Sequence, residues 1–375
     1  MQDKYKGKTK DKTVSTYTYL GDTVHFTGSN KFTINDRISK AKGFSRDIVQ
    51  VLEGTFFGDH HFEAFRVLRN SMIYSVLTYN LEIAYNLSKT DIRDLDNVDI
   101  CLIRNVLMTS SKVSRCLILL ELGFMSVEFV IKQKRLNYLY SLIQMEDKFV
   151  AKKVFLQQCN SPIKGDWIKY VYRDMNDLKL NLSFEEIATL SKNKWKQIVK
   201  DASQKACFES LMNDKCKLSK GKEIKYEKFG MQLYFKAGNS VNSEVKRKIL
   251  KIRTRDLNIR GNFKNSFKDI MCQIPGCFEQ ETQSHVFQSY CISASTIQDR
   301  NASIEYEDIF GENVISQAYV ANMIYHNIDK RNQIIPSSRG PEEPRRRGGR
   351  KKNAAASPSL VIRKARPRKN KGQQS

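Results

Sequence analysis

The residues with the clearest chemical potential lie in one stretch, CQIPGCFEQETQSHVFQSYC, which places Cys272, Cys277, His285 and Cys291 at the spacing C-x4-C-x7-H-x5-C. Three thiolates and one imidazole are a usual tetrahedral set for Zn2+, a borderline-soft ion matched to sulfur and nitrogen. Pro275-Gly276 permits the tight turn that aims the first two sulfurs at one ion. With protein filling all four positions no place is left for water, so the expected role of a single Zn2+ is structural. The alternative is a chance grouping of small buried cysteines beside an unrelated histidine, since C-x4-C is wider than the usual C-x2-C knuckle. Cys101, Cys116, Cys159, Cys207 and Cys216 have no partners at ligand spacing and read as ordinary core or surface thiols.

The second kind of chemistry is cationic. Lys and Arg number 64 against 40 Asp and Glu, a formal charge of +24, which favours polyanions by direct attraction and by counterion release. Lys132, Lys134 and Arg135 sit on one predicted helix; Lys246, Arg247, Lys248, Lys251, Arg253 and Arg255 form a dense run ahead of the cysteine cluster. These are candidate phosphate contacts, with a solvated helix face as the alternative for each. Phe263, Phe267, Phe278, Phe287 and Tyr290 near the cluster are candidates to stack on unpaired bases, Phe263 first among them, or else the small core around a zinc ion. After Pro336 the composition shifts to Pro, Gly, Ser and Ala with the runs Arg345-Arg346-Arg347 and Arg350-Lys351-Lys352. Counted from Arg339, 13 Lys or Arg against Glu342 and Glu343 put +11 of the charge on this tail, which is expected to be disordered and to act as a nuclear import signal or an RNA-binding arm.

Other chemistries find little support. There is no glycine-rich phosphate loop, and five histidines offer no Ser/His/Asp arrangement. His60-His61 reads as an exposed adjacent pair, and Asp94, Asp96 and Asp99 as the solvated face of a helix. No small-molecule substrate is expected.

The elements that must position these groups are mainly helical. YTYLGDTVHF, Tyr17 to Phe26, reads as a strand ending in the turn Gly28-Ser29-Asn30. Beyond Phe32 apolar residues recur at helical spacing: Phe62, Phe65, Leu68, Met72, Val76, Tyr79, Ile83 and Leu87 on one stripe, Ile92, Leu95, Val98, Leu102 and Val106 on another. Thr90 with Asp91 suits a helix start, and Ser183 with Glu186 has capping-box spacing. Further helices are predicted over Val127 to Met145, Asp166 to Leu178, Lys192 to Asn213 and Ser240 to Leu257, punctuated by Gly123, Pro162 and Gly238. No apolar run is long enough to span a bilayer and the N-terminus carries no hydrophobic leader, so an intracellular protein without membrane contact is expected.

In order, these features resemble the region following the catalytic palm in reverse transcriptases of non-LTR (LINE-like) retrotransposons. YLGDTVHFTGSNKFTINDRISKAKG (Tyr19 to Gly43) and FRVLRNSMIYSVLTYNLEIAYNL (Phe65 to Leu87) are similar to the end of the palm and the helical thumb. DIRDLDNVDICLIRNVLM and LLELGFMSVEFVIKQKRLNYLYSLI match the family's "elG-x-x-p" helix and the basic helix after it, and Glu281-Thr282-Gln283 ahead of His285 resembles its C-terminal CCHC knuckle. The resemblance covers roughly Tyr17 to Arg331 and implies a palm-like end over 1–44, a thumb-like bundle over 45–145, a helical linker over 146–260 and a zinc-knuckle region over 261–335, before the basic tail 336–375.

It also implies RNA or an RNA–DNA duplex as partner, gripped by its phosphates and minor groove. The family polymerises with two magnesium ions held by carboxylates, two of them in an aromatic-x-Asp-Asp turn. The sequence holds no Asp-Asp pair, and no nuclease constellation accompanies the knuckle, so this chain is expected to bind and not to copy or cut. The missing palm would act in trans or be encoded just upstream. The competing expectation is a nuclear scaffold protein whose basic tail alone meets nucleic acid.

Overall fold

The computed structural model describes residues 16–19, 22–25, 30–54, 58–84, 87–163, 165–218, 224–236, 241–257, 271, 272, 280, 285 and 313–334, and these are mainly helical. Two short strands, β1 (Thr16–Tyr19) and β2 (Asp22–His25), pair antiparallel with Thr16 opposite His25. Of the single strand expected from Tyr17 to Phe26, the described residues show these two short strands; residues 20, 21 and 26 lie outside them. Helix α1 (Lys31–Gly54) packs on β2 and runs unbroken through residues 44 and 45, where the sequence suggested a domain boundary.

The segment after α1 begins with α2 (His61–Leu68), passes through a π-helical turn at Arg69–Tyr74, and ends in the short α3 (Ser75–Leu77). The wider turn re-phases the helix. Phe62 and Phe65 are buried as expected, but beyond the turn the core takes Ile73, Leu77 and Leu81, while Tyr79 and Ile83 of the anticipated stripe lie 45% and 49% exposed. The turn also brings Arg69 inward, where it pairs with Asp99 at 2.6 Å and lies between the rings of Tyr74 and Phe124, 4.1 Å from each.

Helix α4 (Lys89–Leu107) starts at Ser88, two residues before the anticipated Thr90, because Ser88 and Asp91 form a capping box. Its apolar stripe Leu95, Val98, Leu102 and Val106 is buried as the spacing predicts. Asp96 and Asp99 are not solvated: burial is nearly complete for both. Asp96 accepts from the N–H of Val127 at 3.0 Å, so its carboxylate caps the first turn of α6 (Val127–Ile143), and it pairs with Arg115 at 2.8 Å. Burial pushes its carboxyl up to about 6, against the opposing charge of Arg115.

Helix α5 (Arg115–Leu122) ends at Gly123 in a Schellman motif, with Phe124 N–H on Leu119 O and Gly123 N–H on Leu120 O. Gly123 has φ +63°, and a Cβ there would lie 2.2 Å from Gly230 C, so both the backbone region and the close approach demand glycine. The chain then continues through α6, α7 (Val150–Asn160), α8 (Trp167–Asp177) and α9 (Phe184–Thr189), whose Ser183–Glu186 capping box is formed as predicted. Helix α10 (Lys192–Cys216) lies along α6 and α5, with Trp195 fully buried and its Nε1–H donating to Leu136 O at 3.0 Å. Helix α11 (Ser243–Arg253) packs on α12 (Val314–Ile334). The buried apolar residues form one cluster that draws on elements from α1 to α12. No helix among the described residues is long and apolar enough to cross a membrane.

Candidate nucleic-acid interface

Of the nine described cations singled out in the sequence, Lys132, Arg135, Lys246 and Arg253 are buried and the other five are half-buried. Lys246 is fully buried and donates to Lys236 O at 3.1 Å; Arg253 is buried and pairs with Glu121 at 2.9 Å. They fall on the apolar stripe of α11 with Ile249 and Leu250, so the helix carries both into the core. Glu121 is fully buried too, and accepts from Tyr226 and Tyr234 hydroxyls at 2.7 Å each. Burial pushes both tyrosines well above the usual phenol range, with the Glu121 charge working the same way. This cluster ties the 224–236 segment and α11 to the end of α5.

Arg247 is half-buried, donating to Val106 O at 3.0 Å and lying 3.1 Å from His61 Nε2. His61, expected on the surface, is 7% exposed; burial first, then Arg247 and Lys246, lowers it to about 4. The imidazole therefore accepts from the Arg247 guanidinium at neutral pH. Lys248 pairs with Glu244 at 3.0 Å and lies over the Tyr325 ring, while Lys251 and Arg255 are half-buried at the end of α11.

On α6 the outcome is similar. Arg135 is buried against Asp174, with which it makes a short ion pair, and donates to Ala84 O at 3.2 Å. Lys132 bridges Glu128 and Asp177, at 2.8 Å each. A buried, paired cation has to abandon its partner to reach a phosphate, at several kcal/mol by order of magnitude. The expectation of phosphate contact is corrected on this ground for Lys132, Arg135, Lys246 and Arg253. Lys134 alone of the α6 group reaches the surface: it is half-buried, donates to Thr78 O at 3.3 Å, and is held below the usual ammonium range by burial, with Glu82 opposing and Arg37 reinforcing the shift.

Lys134 has neighbours that the sequence reading passed over. It lines a cavity of about 340 Å³ between α6 and α10, together with Lys192 and Lys196 from the first turns of α10. Lys192, Lys196 and Lys200 are all exposed and recur every fourth residue, so they form a stripe up one face, about 6 Å of rise between each. Among the described residues they have no hydrogen-bonding or ion-pairing carboxylate, whereas Lys248 and Arg253 of α11 do. Lys194 is exposed beside them. The available signal was K-x3-K-x3-K with Trp195 as the inward residue, which separates a wet lysine face from a buried anchor.

Of the zinc set, Cys272 and His285 are described and both are buried; Met271 pairs with Gln280 in an isolated antiparallel bridge. Cys277, Cys291 and Phe263 lie outside the described residues, as do the tail residues Arg345, Arg346, Arg347, Arg350, Lys351 and Lys352. Among the described residues no group of three or more His, Cys, Asp or Glu converges. No protein-family model, curated protein or solved structure matches the chain.

Proposed function

We propose that the chain binds the sugar-phosphate backbone of nucleic acid, RNA or an RNA–DNA duplex, through the lysine face that α10 shares with Lys134 of α6. The observation that carries this reading is the contrast between two sets of cations. Those turned inward have carboxylate or carbonyl partners, whereas Lys192, Lys196 and Lys200 form an exposed stripe with no ion-pair partner among the described residues. Such a row neutralises phosphates without reading bases, and each contact releases counterions. Replacing the three lysines by glutamine is expected to lower RNA affinity and flatten its dependence on salt by about two, the share of three contacts to a single strand. An unchanged salt slope would remove the stripe from the interface.

Within this reading the chain is a non-catalytic, post-palm part of a non-LTR retrotransposon reverse transcriptase, working with a palm in trans or continuous with one encoded upstream. Its Cys272, Cys277, His285 and Cys291 would hold one structural Zn2+, and its basic tail would direct it to the nucleus. The burial of Cys272 and His285, and the bridge that closes the chain between Met271 and Gln280, support the donor set. The ion would supply cross-linking of this region, since the binding energy of a structural zinc is folding energy. Elemental analysis of the double variant Cys272→Ser/Cys277→Ser tests it: loss of one zinc per chain is expected, and equal metal content in parent and variant would refute the site.

A further inference from the structure

The cavity between α6 and α10 has a largely apolar wall that carries a few polar groups which backbone binding does not use. Glu82 and Asn137 both line it, and each buries a side-chain oxygen, Glu82 Oε2 and Asn137 Oδ1, that has no hydrogen-bond partner among the described residues. A buried acceptor left unpaired is costly, and its persistence at a cavity wall marks a place for an incoming donor. The wall is fixed: Trp167 donates its Nε1–H to Glu82 O at 2.8 Å and meets Tyr138 edge to face at 5.6 Å between centroids. Tyr138, half-buried, is the aromatic side of the same cavity. Lys134, Lys192 and Lys196 stand at its rim.

Resting on the nucleic-acid reading above, we propose that this cavity takes one unpaired base from a strand whose phosphates follow the lysine stripe, and that it prefers guanine. At about 340 Å³ it is at the small end of ligand pockets, a size for a single base and not for a duplex. A carboxylate is an acceptor with two oxygens, and among the four RNA bases only guanine presents two adjacent donors, N1–H and the 2-amino group, on its Watson–Crick edge. Adenine and cytosine set a ring acceptor beside their amino group, and uracil flanks its one N–H with carbonyls. Each would face Glu82 with a lone pair. Asn137 adds a further acceptor, and Tyr138 offers a face for stacking, which is tolerant of base identity.

The test uses the full chain and labelled twelve-nucleotide oligouridines, unmodified or with one central guanosine, adenosine, cytidine or inosine, read by fluorescence anisotropy. The guanosine oligomer is expected to bind about tenfold tighter than the others, the discrimination of one good bidentate contact, with inosine between because it lacks the 2-amino donor. Glu82→Gln, which replaces a carboxylate acceptor by an amide that also donates, is expected to abolish the preference by weakening the guanosine oligomer about tenfold. Equal, salt-sensitive affinity for all oligomers would overturn the guanine pocket and leave backbone binding standing. Loss of affinity for every oligomer on Glu82→Gln, with unchanged circular dichroism, would equally overturn the base preference. No binding to any oligomer at low salt would overturn backbone binding itself, and the pocket with it.

Discussion

Replacement of Gly123 by alanine tests the packing on which α5, α11 and the 224–236 segment depend. Two costs add. The left-handed backbone, φ +63°, costs a residue with a Cβ about 1–2 kcal/mol. The new Cβ would also lie 2.2 Å from Gly230 C and 2.3 Å from Met231 N, which are backbone atoms with no rotamer to yield. Relief means moving the 230–232 segment, whose Gln232 N–H donates to Glu121 O at 3.0 Å, and such overpacking costs about 1–3 kcal/mol. The expected loss is therefore on the order of 3–4 kcal/mol, read as a drop in the urea midpoint followed by far-ultraviolet circular dichroism. Gly43 supplies the internal control. It lies within α1 with nothing within 4 Å of a built Cβ, so Gly43→Ala is expected to stabilise by about 0.5–1 kcal/mol. A Gly123→Ala loss below about 1 kcal/mol, or the same sign of effect at both glycines, would refute the reasoning.

Glu121→Gln leaves the buried Arg253 guanidinium without its counter-charge and is expected to cost about 3 kcal/mol or more, while adding Arg253→Met should recover part of that loss; strict additivity in the double-mutant cycle would contradict the coupling. His61 titrates near 6.5 when unfolded but at about 4 when folded, so between these values the unfolded chain binds the extra proton and stability falls as pH drops. Relative to its parent, His61→Gln should therefore gain on the order of 2 kcal/mol between pH 7 and pH 4 after allowance for solvent screening. Comparing variant with parent at each pH cancels Asp96, whose raised value of about 6 works in the opposite direction over the same range. Parallel stability–pH curves for parent and variant would show that His61 is not held neutral.

How much of this was legible in the sequence depended on the range of the interaction. The Ile92 to Val106 stripe, the Ser183–Glu186 box and the approximate spans of α6, α8, α10 and α11 follow from local spacing and capping, and the structure has them. The π-helical turn at Arg69–Tyr74 shifted the core from Met72 and Val76 to Ile73 and Leu77, a one-residue change that a fixed helical period misses. Charge was the harder matter. Asp96, Asp99, Arg135, Lys246 and Arg253 look like surface residues by type, but their partners, Arg115, Arg69, Asp174, Lys236 and Glu121, are in most cases distant in sequence. Lys246 and Arg253 did carry a local warning, because they share helical spacing with Ile249 and Leu250. The cavity could not be read locally at all, since Glu82, Asn137 and Lys192 come together only when α6 and α10 pack beside the end of the α3 turn.

The central claim is that the folded helices, and not only the basic tail, hold nucleic acid. The most direct measurement is RNA affinity across about 50 to 200 mM salt for three full-length proteins: the parent, a variant with Arg345, Arg346, Arg347, Arg350, Lys351 and Lys352 changed to glutamine, and one with Lys192, Lys196 and Lys200 so changed. Salt-sensitive binding that survives neutralisation of the tail and weakens with the lysine stripe is the expected result. Binding that collapses with the tail and ignores the stripe would contradict the account and leave a helical scaffold carrying a basic arm.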